Sequence, residues 1–143
     1  MKGKIEAICI SPKRGVQKKP IAQAEIKENH GIVGDAHAAP GNRQISILIE
    51  KSIDKVKNAA NIEIVDGDFA ENIIISGIDL KNLSVGTKFK LNDSVIVEIT
   101  QFGKECHDKC RIFEKAGICA IADEGIFVKT LHGGNIHKGD AME

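Results

Sequence analysis

The sequence predicts a mostly β, α+β fold: a partly closed β-barrel of short strands with a few short helices. Three observations carry that expectation. Short runs rich in Ile and Val recur along the chain, as in Lys4 to Ile10, Gln44 to Ile49 and Val95 to Phe102. Turn residues separate them roughly every eight to twelve residues, the spacing of a sandwich or barrel. Helical and strand patterns do not alternate regularly, so a doubly wound α/β sheet is disfavoured.

Taken in order, residues 4–10 form a first strand, closed by the turn Ser11-Pro12-Lys13-Arg14-Gly15. Residues 21–29 alternate weakly and suggest a second strand, and Gly31 through Gly41 read as a loop. Residues 44–49 make a third strand. A helix follows over 50–60, where Ile53 and Val56 fall at helical spacing. Asp66-Gly67-Asp68 is a turn before a short buried strand at 72–76 that Gly77 closes. A further strand spans 88–91, and Asn92-Asp93 turns into the clearest strand, 95–102. A short helix is expected over 107–117, ended by Gly117, and a last strand over 126–131. Gly133-Gly134 and Gly139-Asp140 read as late turns, with Asp140 a structural hydrogen bonder.

The 143 residues fit one domain spanning 1–143. Aromatic residues are 3% of the chain, with no Trp or Tyr, so the core must be aliphatic and a base-stacking surface for nucleic acid is not expected. Lys plus Arg equals Asp plus Glu at 20 each, which supplies no field for a phosphate backbone or an anionic membrane. The N-terminus lacks the apolar run of a signal peptide, and no stretch has the length of a membrane helix. A cytoplasmic location is the expectation, with no nucleic-acid or membrane partner. The 4 cysteines are then expected as thiols, free for metal binding or catalysis.

The densest reactive cluster is Cys106, His107, Cys110 and Cys119. Thiolates and imidazole ligate zinc, copper and molybdenum, and a thiolate is the nucleophile of sulfur transfer. Lys104, Lys109 and Arg111 flank it, and neighbouring cations raise the thiolate fraction. Cys106 and Cys110 lie among charged residues, where simple burial explains a cysteine poorly. Cys9, inside the first strand, reads as core packing, and Cys119 between Ile118 and Ala120 leans the same way. A structural zinc would need Cys119, His132 or His137 to complete the set, and the usual paired Cys-x-x-Cys spacing is missing.

A second constellation is Gly31-Ile32-Val33-Gly34-Asp35-Ala36-His37, with Arg43 beyond it. Glycines let backbone N–H groups approach an anion, and Arg can grip a phosphate bidentately. No P-loop signature follows, and His37 is equally read as a loop histidine bonded to Asp35. In Asp68-Phe69-Ala70-Glu71-Asn72, a functional role for Glu71 and Asn72 is balanced by a bracing one beside the turn. Glu124, in Glu124-Gly125-Ile126-Phe127, leans structural.

Read together, these segments resemble a MOSC domain, the module named after the C-terminal part of molybdenum cofactor sulfurase. The resemblance rests on Gly31 to His37, Arg43 to Ser46, Gly67 to Ile73, Gly77 to Leu80, Val85-Gly86, Glu98 to Gln101, Gly103 to Cys110, Glu124 to Phe127, and Gly133-Gly134 with Gly139-Asp140. They occur in the family's order over nearly the whole chain, in the short bacterial type. The resemblance implies a β-rich, partly closed barrel and a cysteine near a strand end that ligates molybdenum or carries sulfur as a persulfide. Cys106 is the matching position, with Cys110 as the alternative. It further implies that Lys104, His107 and Arg111 tune that thiolate. Asp35, His37, Arg43, Glu71 and Asn72 would then serve the molybdopterin cofactor, His37 and Arg43 at its phosphate with the Gly31 to Gly34 loop. A sulfur donor such as a cysteine desulfurase is the implied partner. Reduction of N-hydroxylated compounds with a separate electron-donor protein is an alternative activity, and a non-enzymatic module with structural zinc is another. The aminotransferase-like domain is missing, so no PLP is expected in this chain.

Overall fold

The computed structural model describes residues 3–13, 16–61, 63–67, 69, 71–78, 80, 82–103 and 125–142. Within them lie eleven strands and one helix: β1 (Gly3–Ile10), β2 (Lys19–Ile21), β3 (Gln23–Lys27), β4 (Gly31–Ile32), β5 (Ile45–Ile49), α1 (Glu50–Ala60), β6 (Ile73–Ser76), β7 (Lys88–Lys90), β8 (Ile96–Phe102), β9 (Ile126–His132), β10 (Gly134–His137) and β11 (Ala141–Met142). The helix expected over 107–117 lies outside the described residues.

The principal sheet runs β11-β1-β6-β5-β9-β8-β7, with β2 also pairing β1, and a second sheet runs β10-β3-β4. The expected barrel closure is not found: the principal sheet is open, ending in β11 and β7. The physical reason lies in the packing: the β10-β3-β4 layer covers the inner face and shares its core, so that face is buried without edge-to-edge closure, and the two edge strands are only two and three residues long.

Pleating decides which residues meet that layer. Ile45, Ile47 and Ile49 of β5 and Ile73 and Ile75 of β6 share one core with Ala24, Ile26, Ile32 and Ile136 of the second sheet. The intervening Leu48 and Ile74 are buried outside that core. They point to the opposite face, where α1 packs on β5 and β6 through its buried Ile53 and Val56. All five residues of β5 are buried, which is why it reads as a continuous apolar run.

Pairing is antiparallel apart from β5 and β6, which run parallel with α1 as their crossover. The expected single strand over 21–29 divides at Ala22. β2 pairs with β1 in the principal sheet, while β3 pairs with β10 and β4 in the other, so the chain changes sheets there. The Lys138 N–H donates to the Ala22 carbonyl at 2.9 Å and holds the crossing point. Gly31, expected in a loop, opens β4; a side chain there would run into the Gln44 carbonyl oxygen, and its φ is +120°.

Candidate functional site

The C-terminal end of β1 and the loop after β4 meet over a buried lysine. Lys18 has a side chain 1% exposed. Its Nζ lies 2.6 Å from Asp35 Oδ1, 3.0 Å from His37 Nδ1 and 3.5 Å from Ser11 Oγ. An ammonium has three donors and no acceptor, so these three acceptors use it fully. His37 Nδ1 therefore accepts from Lys18. The Asp35 carboxylate is satisfied further by the backbone N–H groups of Ser11 at 3.1 Å and His37 at 3.2 Å. Burial alone would push the Asp35 carboxyl up. The hydrogen bond and charge of Lys18, with the Ser11 N–H and Asn72, outweigh it and hold the carboxyl below its ordinary value.

The loop that ends at β6 closes this cluster from the other side. Glu71 is fully buried, and its two oxygens accept the N–H groups of Gly67 and Phe69, each at 3.0 Å. Burial raises its pKa above the ordinary carboxylate value, and the nearby Asp66 adds to the shift. The backbone donors offset part of it. Asn72 accepts from the Ser46 N–H at 3.0 Å, and its Nδ2 donates to the Cys9 carbonyl at 3.1 Å, joining β5, β6 and β1. The Cys9 thiol is fully buried and pushed up to about 12, by burial first and then by the charges of Glu71 and Asp66. It is a packing residue, protonated at neutral pH.

A second group lies across the sheet. Arg43, exposed, donates from Nε to Gln101 Oε1 at 3.2 Å, and its guanidinium sits 5.3 Å from the centre of the Phe127 ring. Gln101 Nε2 donates to the Gly103 carbonyl at 2.8 Å, and the Gly103 N–H donates to the Gly125 carbonyl at 2.6 Å. Arg43 is thus tied to the residue at which β8 hands over to Lys104. Its neighbour Gln44 is buried and braces the backbone, accepting the Thr130 N–H at 2.8 Å and donating to Asn29 Oδ1 and the Gly41 carbonyl.

The structure therefore brings Asp35 and His37 together around Lys18, with Asn72 beside Asp35 and Glu71 bracing the adjoining loop, and holds Arg43 beside Gln101. The His37 ring bonds Lys18; only its backbone N–H reaches Asp35. Cys106, Cys110, Lys104, His107, Arg111 and Cys119 lie outside the described residues. For the zinc alternative, the described His132 turns its Nδ1 to the Ser94 carbonyl, and His137 lies beside Asp140. No group of three or more His, Cys, Asp or Glu that could hold a metal ion exists among the described residues. Asp140 acts as a turn residue, accepting from the His137 N–H and from Asn92 Nδ2. Lys18 and Ser11 escaped sequence reasoning. Lys18 stands beside the exposed Lys19, and nothing in that pair marks which one is buried.

This arrangement defines a β-rich domain with a buried Lys-Asp-His cluster under a glycine-bearing loop. The family model of the MOSC domain matches residues 28–143, and the chain belongs to that family. Among solved structures, YuaD from Bacillus subtilis superposes with a TM-score of 0.82 at 18% identity, over 99% of this chain and 94% of that one. YiiM from Geobacillus stearothermophilus gives 0.70 at 15% identity, over 97% of this chain and 73% of that one. YiiM from Escherichia coli gives 0.68 at 16% identity, over 100% and 69%. At these identities the likeness is one of fold. No curated protein sequence matches the chain.

Proposed function

We propose that this chain binds molybdenum cofactor or carries sulfur, with Cys106 as the working thiol and Cys110 as its alternative. The observation that carries this reading is the MOSC match over residues 28–143, a family linked to molybdenum cofactor, together with the cation-flanked thiols inside that stretch.

The described residues suit the organic, anionic part of such a cofactor better than its metal. They place the His37 ring on Lys18 and offer an exposed guanidinium on Arg43. They offer no clustered metal ligands, so ligation in this reading falls to Cys106. When bound, the cofactor would supply a thiolate-ligated metal capable of oxygen-atom and electron transfer. His37 would orient the ligand by hydrogen bonding. Arg43 would neutralise its phosphate. Lys18 and Asp35, fully occupied with each other and their neighbours, would hold the His37 ring in place.

In sulfur carriage, the Cys106 thiolate would attack the terminal sulfur of a donor persulfide. A new S–S bond forms on Cys106, the donor's S–S bond breaks, and the donor leaves as a thiolate, so no external oxidant is needed. A cysteine desulfurase is a donor of that kind.

The test is elemental analysis with pterin fluorescence on protein from a host that makes molybdenum cofactor, with Cys106→Ser alongside. Molybdenum and pterin in the parent, lost in the variant, are expected. Where neither appears, mass spectrometry for an added sulfur on Cys106 tests the carrier arm. Cys9, buried with a raised pKa, should stay unmodified and serve as the internal control. Zinc in molybdenum's place, or a variant indistinguishable from the parent in both assays, would overturn the assignment.

A further inference from the structure

Arg43 is exposed, and an exposed arginine ordinarily samples many rotamers. This one is held from several sides. The carbonyl of the preceding residue, Asn42, accepts from the Thr100 hydroxyl of β8. The same hydroxyl lies 3.0 Å from the carbonyl oxygen of Phe127 on β9. The Arg43 guanidinium sits over the Phe127 ring, 5.3 Å from its centre, within the range of a cation–π contact. Its Nε–H edge donates to Gln101 Oε1 at 3.2 Å.

Gln101 can hold Arg43 in one orientation only. Its Nε2 donates to the Gly103 carbonyl at 2.8 Å, which turns Oε1 toward Arg43. A flipped amide would set a donor against the Arg43 Nε–H and an acceptor against a carbonyl oxygen. Gly103 is itself fixed: it is buried, has φ +66°, and donates its N–H to the Gly125 carbonyl at 2.6 Å. The bonds thus run from a buried backbone position to one edge of an exposed cation. Among the described residues, neither terminal nitrogen of Arg43 has a hydrogen bond or an ion pair.

We infer that Gln101 is a positioning residue, which holds the Arg43 guanidinium so that its terminal edge alone faces an incoming oxyanion. The inference takes from the proposed function that Arg43 meets the ligand's phosphate; Gln101 itself touches no ligand. With Nε occupied and one face on Phe127, the two Nη groups form the fork that takes two oxygens of one phosphate. Ordering the side chain before the ligand arrives removes a rotamer cost from binding. The neutrality of Gln101 matters as much as its reach. A carboxylate at this position would also accept from Nε, but its charge would offset that of the guanidinium and oppose the oxyanion.

The experiment follows the Arg43 Nε–H resonance of the full chain by NMR, assigned with Arg43→Leu, and titrates it from phosphate-free buffer with inorganic phosphate. In the parent, its nitrogen relaxation should match that of the β5 amides, and phosphate should shift it saturably. Gln101→Met, similar in length but without either hydrogen bond, should free the side chain. It should weaken phosphate by about two- to tenfold, the worth of one rotamer-rich side chain ordered in advance. Gln101→Glu should keep Arg43 ordered and still weaken phosphate, a split that a loss of β8 stability alone would not produce. An Arg43 side chain as mobile in the parent as in Gln101→Met would overturn the inference, as would either variant binding phosphate as the parent does. Pterin content is read on the same proteins after expression in a host that makes molybdenum cofactor. A parent without pterin but with the expected Arg43 behaviour would sink the proposed function and leave the positioning role standing. Pterin held by the parent and kept in full by Gln101→Met would overturn that role.

Discussion

Lys18 shows how much one residue can depend on its neighbours. Its ammonium is out of water and tolerated because Asp35, His37 and Ser11 accept all of its protons. Such a pair is weak evidence of net stabilisation, since desolvating both charges is costly, but removing one partner strands the other. Lys18→Met is therefore expected to destabilise the protein by about 3–5 kcal/mol in urea unfolding. Adding Asp35→Asn to it should recover part of that loss, because no buried carboxylate is then left unpaired. A double variant less stable than Lys18→Met would contradict this account. In the sequence, Asp35 and His37 were legible as a loop constellation, and Asp140 as a turn residue. The lysine between Asp35 and His37 was not, because its role is set by residues 17 and 19 positions away that only folding brings near.

At the scale of elements, the long strands were readable, as were the short β6 and β7, while the other short strands were not. β1, β5, β8 and β9 each carry enough β-branched residues to declare themselves, and α1 showed its buried Ile53 and Val56 by spacing. β2, β4, β10 and β11 have two to four residues each and exist because a partner strand supplies hydrogen bonds. The loop between α1 and β6 behaves as an element too. Gly67 adopts φ +95°, donates its N–H to Glu71, and passes so close to Lys18 that an added Cβ would overlap the Lys18 carbonyl oxygen. Gly67→Ala is expected to cost at least about 3 kcal/mol, from the left-handed backbone and the clash together. Thermal or urea unfolding checks it. A stability equal to the parent's would mean that the loop moves away from Lys18 at little cost, and that the packing described is not tight.

For the whole molecule, the buried carboxylates of Asp35 and Glu71 act on stability in opposite directions. Asp35 titrates below its ordinary value of 3.8 in the folded chain. Its contribution is complete above that value and is lost as pH falls through the lower, folded pKa. Glu71 titrates above its ordinary 4.5. Its contribution favours the folded state below 4.5 and is lost as pH rises through the raised, folded pKa. Urea midpoints are therefore expected to rise as pH is lowered toward 4.5, and the Asp35 contribution to fall away below 3.8. Glu71→Gln should flatten the first limb and Asp35→Asn the second. If both variants keep the parent's pH profile, neither carboxylate is linked to folding as described.

The sequence by itself determined the β-rich class, the one described helix, the strands that form the sheet's centre, and the family, because periodicity and ordered motifs are local properties of the chain. The tertiary structure decided that the principal sheet stays open, that the chain changes sheets at Ala22, and that Lys18 is buried while Lys19 is not. Those outcomes depend on which strand ends meet and which charges find partners across the fold. Such pairings bring together residues far apart in the chain, and no local pattern encodes them.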